Sequence, residues 1–563
     1  MRYFFVLFMI VLCRTSLLAE TFVVSLPLEF INAQSRAVSG DTILWTAGTY
    51  ADYAIKITKN GLTIAAQTAG KTIFNGRARA EINADSVTFS GFQFIGGNIG
   101  SGVDLIKVNG SHCVLSQLNV KDYFCKKYLV VDDETQYNTI EYCNFESRTF
   151  IGDQNILSIL VSENQPGYHI IRWCSFRNFE GEGNGADFGV EPIRIGLSTQ
   201  ALFESRCVVE YCYFTQCNGD LEIISSKSTQ NIYRYNTFED NPYGELTLRH
   251  GSEAVVYGNF FLNGKGGIRI KEGQHHAVYN NYFYQLEDRP IILQNHDADP
   301  LDDIYILFNT IINCGSFILD DRPSDPDPPT NVTLVNNLFV DPTDDALFTN
   351  PTGTEEWMGN FASGNLGFTA PASGIQDLDP LLIVNSAGFF QLSENSPAID
   401  AAQSFRSIPS IPEINFDSSL MLDIAQNIRV VGSNQLDVGC FEYSSNARLV
   451  EPAATSENTG PFYYSDSIST NTLELIDELN FSVFPNPARR KFNLIFDLPK
   501  LSQVDIQLFD VNGQLKLTPI QEVSLASGHV DLSVNTEELK AGIYLLQIKV
   551  DDQIFIKKLM VIK

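Results

Sequence analysis

Between residues 138 and 341 the chain repeats one short phrase of alternating apolar and polar positions. The copies are NTIEYCNFESR (138–148), HIIRWCSFRNF (169–179), CVVEYCYFTQC (207–217), NIYRYNTFEDN (231–241), AVVYGNFFLNG (254–264), HAVYNNYFYQL (276–286), IYILFNTIINC (304–314) and NVTLVNNLFVD (331–341). Each alternates with period two, reaches Asn or Cys, and places an apolar residue, usually Phe, two positions later; VTFSGFQFIGG (87–97) follows more loosely. Period two is the signature of a strand with one buried face. Phe214, Phe238, Phe261 and Phe283 are 24, 23 and 22 residues apart. A repeat of that length, made of strands and turns without an amphipathic helix, predicts an all-β solenoid: a right-handed parallel β-helix.

Stacked coils bring equivalent residues about 4.8 Å apart. Asn236, Asn259, Asn281, Asn309 and Asn337 should therefore form an amide ladder in a turn, continued by Cys143, Cys174 and Cys212 as buried thiols. The Phe column belongs to the core. The intervals Phe145–Phe176 and Phe176–Phe214 are longer, 31 and 38 residues, and imply inserted loops. The largest insertion carries NFEGEGNGADFGVEPIRIG (178–196). Insertions in a solenoid gather on one face and build its cleft.

The pattern changes three times more. From Asp345 to Tyr443 the repeat fades into Pro- and Ser-rich sequence, expected to cap the open end of the helix. Residues 444–478 lack periodicity and read as a linker. From Leu479 alternation returns, punctuated by Asn512-Gly513 and Ala541-Gly542, which predicts a small β-sandwich over 479–563. At the other end Arg2, the apolar run Phe4–Cys13 and Ala19 read as a signal peptide, 1–19, too short to span a bilayer. The β-helix domain is then 20–443.

Composition narrows the partners. A formal net charge of -29 over 563 residues argues against nucleic acid or an anionic membrane. A polyanionic substrate would need a locally basic cleft. No later segment is apolar enough to span a membrane, and export permits disulfides. The nine cysteines left after Cys13 are odd in number and show neither a disulfide framework nor zinc-ligand spacing.

Charge chemistry concentrates in NGDLEIISSKSTQNIYRYNTFEDNPYGELTLRHG (218–251). Strand alternation puts Leu221 and Ile223 inward, with Asp220 and Glu222 outward. One coil later Leu246 and Leu248 face in and Glu245, Thr247 and Arg249 out; the next coil leaves Arg269 and Lys271 out. Arg194, Glu222, Thr247 and Arg269 are expected on one line, with Lys227 near the following turn. Such a face is either a solvated surface of weak ion pairs or a site that removes a carbon-bound proton beside a carboxylate. The second needs a cation for the carboxylate, an amine for the proton and a donor for the leaving oxygen. All three types are present.

IRIG (193–196), EIISSKS (222–228), LTLRHG (246–251) and GGIRI (266–270) resemble polysaccharide lyase family six, parallel β-helix enzymes that include alginate lyases and chondroitinase B. GDTILWTAGTYADYAIKITKNGLTIAAQTAGKTIFNG (40–76) resembles that family's first coils. The resemblance implies Lys227 as base and Arg249 as acid or charge stabiliser, with His250, Arg269, Arg194 and Lys271 binding substrate. It implies Ca²⁺ on Asp220 and Glu222 to neutralise the uronate carboxylate. Two positions depart from the family: Asp220 stands for Glu, and Phe188 for an Asn ligand, leaving Asp187 or Asn184 as substitutes. Alginate is the expected substrate, in the manner of a poly(β-D-mannuronate) lyase; a dermatan sulfate lyase and a non-catalytic β-helix adhesin are the alternatives. The tail, with Pro485-Asn486-Pro487, Asp510-Val511-Asn512-Gly513 and Gly542-Ile543-Tyr544, resembles the C-terminal sorting domain of the type IX secretion system. That implies contact with the secretion machinery and a secreted or cell-surface location.

Overall fold

The repeat builds what its period requires. In the computed structural model each coil contributes one strand to each of three parallel sheets. Sheets A and B have 14 strands each and sheet C has 12 among the described residues. Those residues are 19–464 and 482–561, apart from 151, 153, 182–188, 296–299, 324–326, 372, 405–421, 428, 430–435, 445–446, 485–487, 499–501, 511–514, 526–527, 537–538, 541 and 551–552. The signal segment up to residue 18, Asp187 and the turn residues 512, 513 and 541 therefore lie outside the described residues.

The two expected columns are present. Phe145, Phe176, Phe214, Phe238, Phe261 and Phe283 stack with centroids 4.7–5.2 Å apart. From Asn259 to Asn337 each ladder Asn accepts, through its Oδ1, from the backbone and side-chain amides of the Asn on the preceding rung. Asn360 extends the ladder by one coil. Cys212 joins it by donating its backbone N–H to Asn236. All nine described cysteines are free and buried.

Three features go beyond the repeat. The N-terminal end is closed by a helix, α1 (Pro27–Arg36), whose Phe30 packs on Trp45 and Tyr53. At the far end Leu366 and Phe368 cover the last coils, as a cap should. Beyond them the Pro-rich segment departs from expectation and lies along the flank: Leu392, Ala398, Val438 and Phe441 join a second hydrophobic cluster with the outward residues Tyr257, Tyr279 and Leu307. The unperiodic stretch after Tyr443 continues as a strap of loops and turns. Ala454 accepts from Thr237 and Ser456 from Arg177; Gly460 donates to Trp173, and Tyr463 to Gln117. It follows the coils back towards the N-terminal end.

The tail forms two small antiparallel sheets of three and four strands. Phe492, Leu494 and Phe496 from one and Ile506, Leu508, Leu546 and Ile548 from the other share one buried cluster.

Candidate active site

Sheet C carries the charged residues. Its strands there are β1 (Leu157–Ile159), β2 (Ile193–Ile195), β3 (Glu222–Ser226), β4 (Glu245–Arg249), β5 (Gly266–Lys271) and β6 (Arg289–Gln294). Inward Ile193, Ile224, Leu246 and Ile268 stack through the core in register. Their neighbours face out over the site.

One register expectation is corrected. Arg194 pairs with Ser225, not Glu222; the outward line is Arg194, Ser225, Thr247 and Arg269. The reason is a bulge at Ile223, where Glu222 pairs with Glu245 and Ile224 with Leu246. A bulge adds one residue and resets the alternation. Both isoleucines are thereby buried, while Leu221, expected inward, is exposed. Arg249 and Lys271 do pair as expected.

The face is not a solvated one. Asp220, Glu222, Lys227, Glu191 and Glu245 are each less than a tenth exposed. Glu222 is the hub. Its Oε1 accepts from Arg249 Nη1 at 3.1 Å and Arg269 Nη2 at 2.9 Å, and its Oε2 from Ser225 Oγ. These donors hold its carboxyl below the usual range although burial pushes the other way. Asp220 accepts from the backbone N–H of Gly189 and of Glu222. Lys227 Nζ lies 4.0 Å from Glu191 Oε1, and Arg194 Nη1 lies 3.7 Å from the same oxygen. The turn presenting Lys227 packs on bare backbone: Gly196 sits at φ +81°, and a Cβ there would meet the Lys227 carbonyl oxygen at 2.7 Å.

On the next coils His250 Nε2 accepts from Arg249 Nε at 3.2 Å, while its Nδ1 meets the buried Glu272 carboxylate. Burial keeps His250 below its ordinary pKa, against the pull of Glu272. Lys271 is also lowered, by burial and then by Arg249. Arg269 additionally faces Glu245 at 3.7 Å, which Arg289 binds at 2.8 Å. The structure thus brings Asp220, Glu222, Lys227, Arg249, His250, Arg269, Lys271 and Arg194 into one neighbourhood of sheet C. In a chain of strongly negative charge, its cations are desolvated and clustered.

Sequence reasoning passed over three participants. Glu191 is pushed up to about 7, by burial first. Lys127, two residues before a sheet C strand, donates to Ser158 at 3.3 Å and is lowered to about 8 by burial and then by Arg194. Glu272 lies beneath His250. Their signal was position: Glu272 follows Lys271 as His250 follows Arg249.

The comparisons with known proteins give the chain a family. The chondroitinase B family model matches residues 27–343, more than half of the chain. The chain belongs to the chondroitinase B family. Its tail, 482–563, matches the secretion system C-terminal sorting domain, which assigns this family member to secretion or the cell surface. Similar solved structures include the PL6 family alginate lyase AlyGC (TM-score 0.59, 23% identity, covering 67% of this chain and 55% of that one). Others are a mannuronic acid specific polysaccharide family 6 lyase from human gut microbiota (0.54, 23%, 64% and 91%) and the PL6 polysaccharide lyase Pedsa3628 from Pseudopedobacter saltans (0.52, 21%, 62% and 92%). This chain spans 55% of the length of the first. At these identities they establish the shared fold. No curated protein sequence matches the chain.

For this family member the expected calcium can be tested against the side chains present. Glu191, Asp220 and Glu222 offer the oxygen donors that Ca²⁺ takes, and buried Glu191 Oε2 has no hydrogen-bond partner. They fit the ion in kind. In spacing they are looser: among the described residues no group of three or more His, Cys, Asp or Glu stands close enough to hold a metal. Glu222 is shared by two arginines, so an ion there would compete with them.

Proposed function

We propose that this protein is a secreted lyase that cleaves alginate by β-elimination. The observation that carries the reading is the buried amine of Lys227 beside the Glu222–Arg249–Arg269 cluster on neighbouring coils. Lys227 takes the C5 proton of a uronate. The C5–H electron pair forms the C4–C5 double bond as the C4–O4 bond breaks; the departing oxygen takes a proton from Arg249 as acid, and Arg249 recovers it through solvent from the protonated Lys227, so that the C5 proton ends in net on the leaving hydroxyl. Arg249 stabilises the charge developing on that oxygen, in a half-buried site where such an interaction is stronger than in bulk water. Arg269 and Arg194 hold substrate carboxylates, Lys271 and His250 flank them, and Arg269 can bind bidentately. Ca²⁺ at Asp220 and Glu222 would, when bound, neutralise the carboxylate and acidify the C5 proton.

Alginate is preferred because two similar structures are described as alginate or mannuronic acid enzymes. The family's name points to dermatan sulfate as the second reading. Incubating the protein with mannuronate-rich, guluronate-rich and alternating alginate, and with dermatan sulfate, while following the absorbance of the unsaturated product, decides between them. Activity on dermatan sulfate alone overturns the substrate. No product from any of the four points to a binding role on the cell surface, as for an adhesin.

A further inference from the structure

His250 and Glu272 occupy matching places on adjacent coils, each one residue beyond the paired Arg249 and Lys271. Both sit in the left-handed region, at φ 62° and 70°. For residues with a Cβ that conformation is costly and persists where the surroundings enforce it. Here it turns both side chains towards each other. Glu272 is fully buried and its carboxylate meets His250 Nδ1. The opposite ring nitrogen, Nε2, accepts from Arg249 Nε at 3.2 Å. A neutral imidazole has one N–H and one lone pair. With the N–H on Nδ1, the proton faces the Glu272 carboxylate and the Nε2 lone pair faces the arginine. With the N–H on Nε2, two donors face each other at the arginine and the Glu272 carboxylate faces a lone pair.

We propose that Glu272 is a positioning residue for the lyase reaction: it fixes the His250 tautomer, and His250 then holds the Arg249 guanidinium in place over Glu222. Arg249 is kept from two sides, by His250 at Nε and by Glu222 at Nη1. Only the first contact depends on a choice between tautomers, and a buried carboxylate makes that choice as an outer partner does for metal-bound histidines. This inference rests on Arg249 acting in the elimination.

The test begins with the unmodified protein. Histidine labelled with ¹⁵N, assigned by comparison with His250→Gln, should show His250 neutral with its proton on Nδ1. A proton on Nε2 overturns the proposal whatever the variants do. Glu272→Ala should lower kcat on alginate ten- to hundredfold with KM within about twofold, and should mix the His250 tautomers. Glu272→Gln should keep most of the activity, because its amide oxygen still accepts from Nδ1–H. A raised KM with unchanged kcat in Glu272→Ala would place His250 in substrate binding alone and defeat the idea. In an Arg249→Lys background, which has no Nε–H for His250, Glu272→Ala should add little; a full additional loss also counts against it. If Glu272→Ala does not fold, the tautomer of the native protein and the Glu272→Gln kinetics decide. If Arg249→Ala is fully active, the lyase assignment of Arg249 fails, and that outcome is separate from the tautomer result.

Discussion

Glu191 provides a sharp test of how far the site is desolvated. Its carboxyl titrates at about 7 in the fold against 4.5 when exposed, with burial the first cause and Asp220 and Glu222 adding to it. Between those pH values the native state keeps a proton that the unfolded chain has released. Stability conferred by Glu191 is therefore greatest below pH 4.5, falls as pH rises, and is lost above about 7. The gap is about 2.5 units, which at 1.36 kcal/mol per unit is about 3 kcal/mol. A glutamine side chain resembles the protonated acid and carries no such penalty. Glu191→Gln should therefore be nearly neutral at pH 4.5 and stabilising by up to about 3 kcal/mol at pH 8. Urea denaturation of both proteins across that range, with chelator present to keep cations off the carboxylates, measures the difference. A difference that stays flat with pH, or a less stable variant at pH 8, would mean that Lys227 and Arg194 keep Glu191 ionised and that burial does not dominate.

Three further outcomes are expected. Lys227→Ala and Arg249→Ala should each abolish turnover with circular dichroism unchanged, since both side chains lie on the outer face of sheet C; substantial activity in Lys227→Ala refutes its role as base. Chelation should remove activity and added Ca²⁺ restore it, whereas full activity in excess chelator would leave Arg269 and Arg194 to neutralise the uronate. Asn281→Ala strands the backbone N–H of Asn259, while Asn259 Nδ2 keeps Tyr233 O and Tyr257 O and Asn309 Oδ1 keeps the backbone N–H of residue 281; it should cost about 1–3 kcal/mol in denaturation experiments, the cost of one stranded buried group, and a loss below about 1 kcal/mol would show that the ladder relaxes or takes up water.

The helix is legible in the sequence because its strongest constraints are local and periodic: one Asn and one Phe per coil define the phase of each turn. Site residues on regular strands, such as Thr247, Arg249, Arg269 and Lys271, fall in the correct register for the same reason. Ile223-Ile224 does not, because two adjacent isoleucines satisfy either phase and only Gly244 beneath them admits the bulge: a Cβ there would lie 2.6 Å from Ile223 Cγ1. Nor does period two reveal that an outward charge is covered. Glu222 is buried by Arg249 and Arg269 from two later coils, a contact set by stacking and side-chain reach. The strap reads as linker because loop backbone with turns at 456–458 and 462–463 carries no periodicity, although its Phe462-Tyr463-Tyr464 run is apolar enough to pack.

That strap changes how the molecule bears load. In a plain solenoid each coil touches only its neighbours, and the chain can peel from an end. Here the segment leading to the sorting tail runs back along the flank, and its last described residue, Tyr464, bonds Glu146 in the N-terminal half of the helix. Force applied through the tail enters there rather than at the final coil. It must shear contacts with Gln117, Trp173, Arg177 and Thr237 before it can reach the end of the spring. An enzyme held to a surface by its tail would thus be pulled along its length, with the coils that carry Lys227 and Arg249 shielded from unwinding.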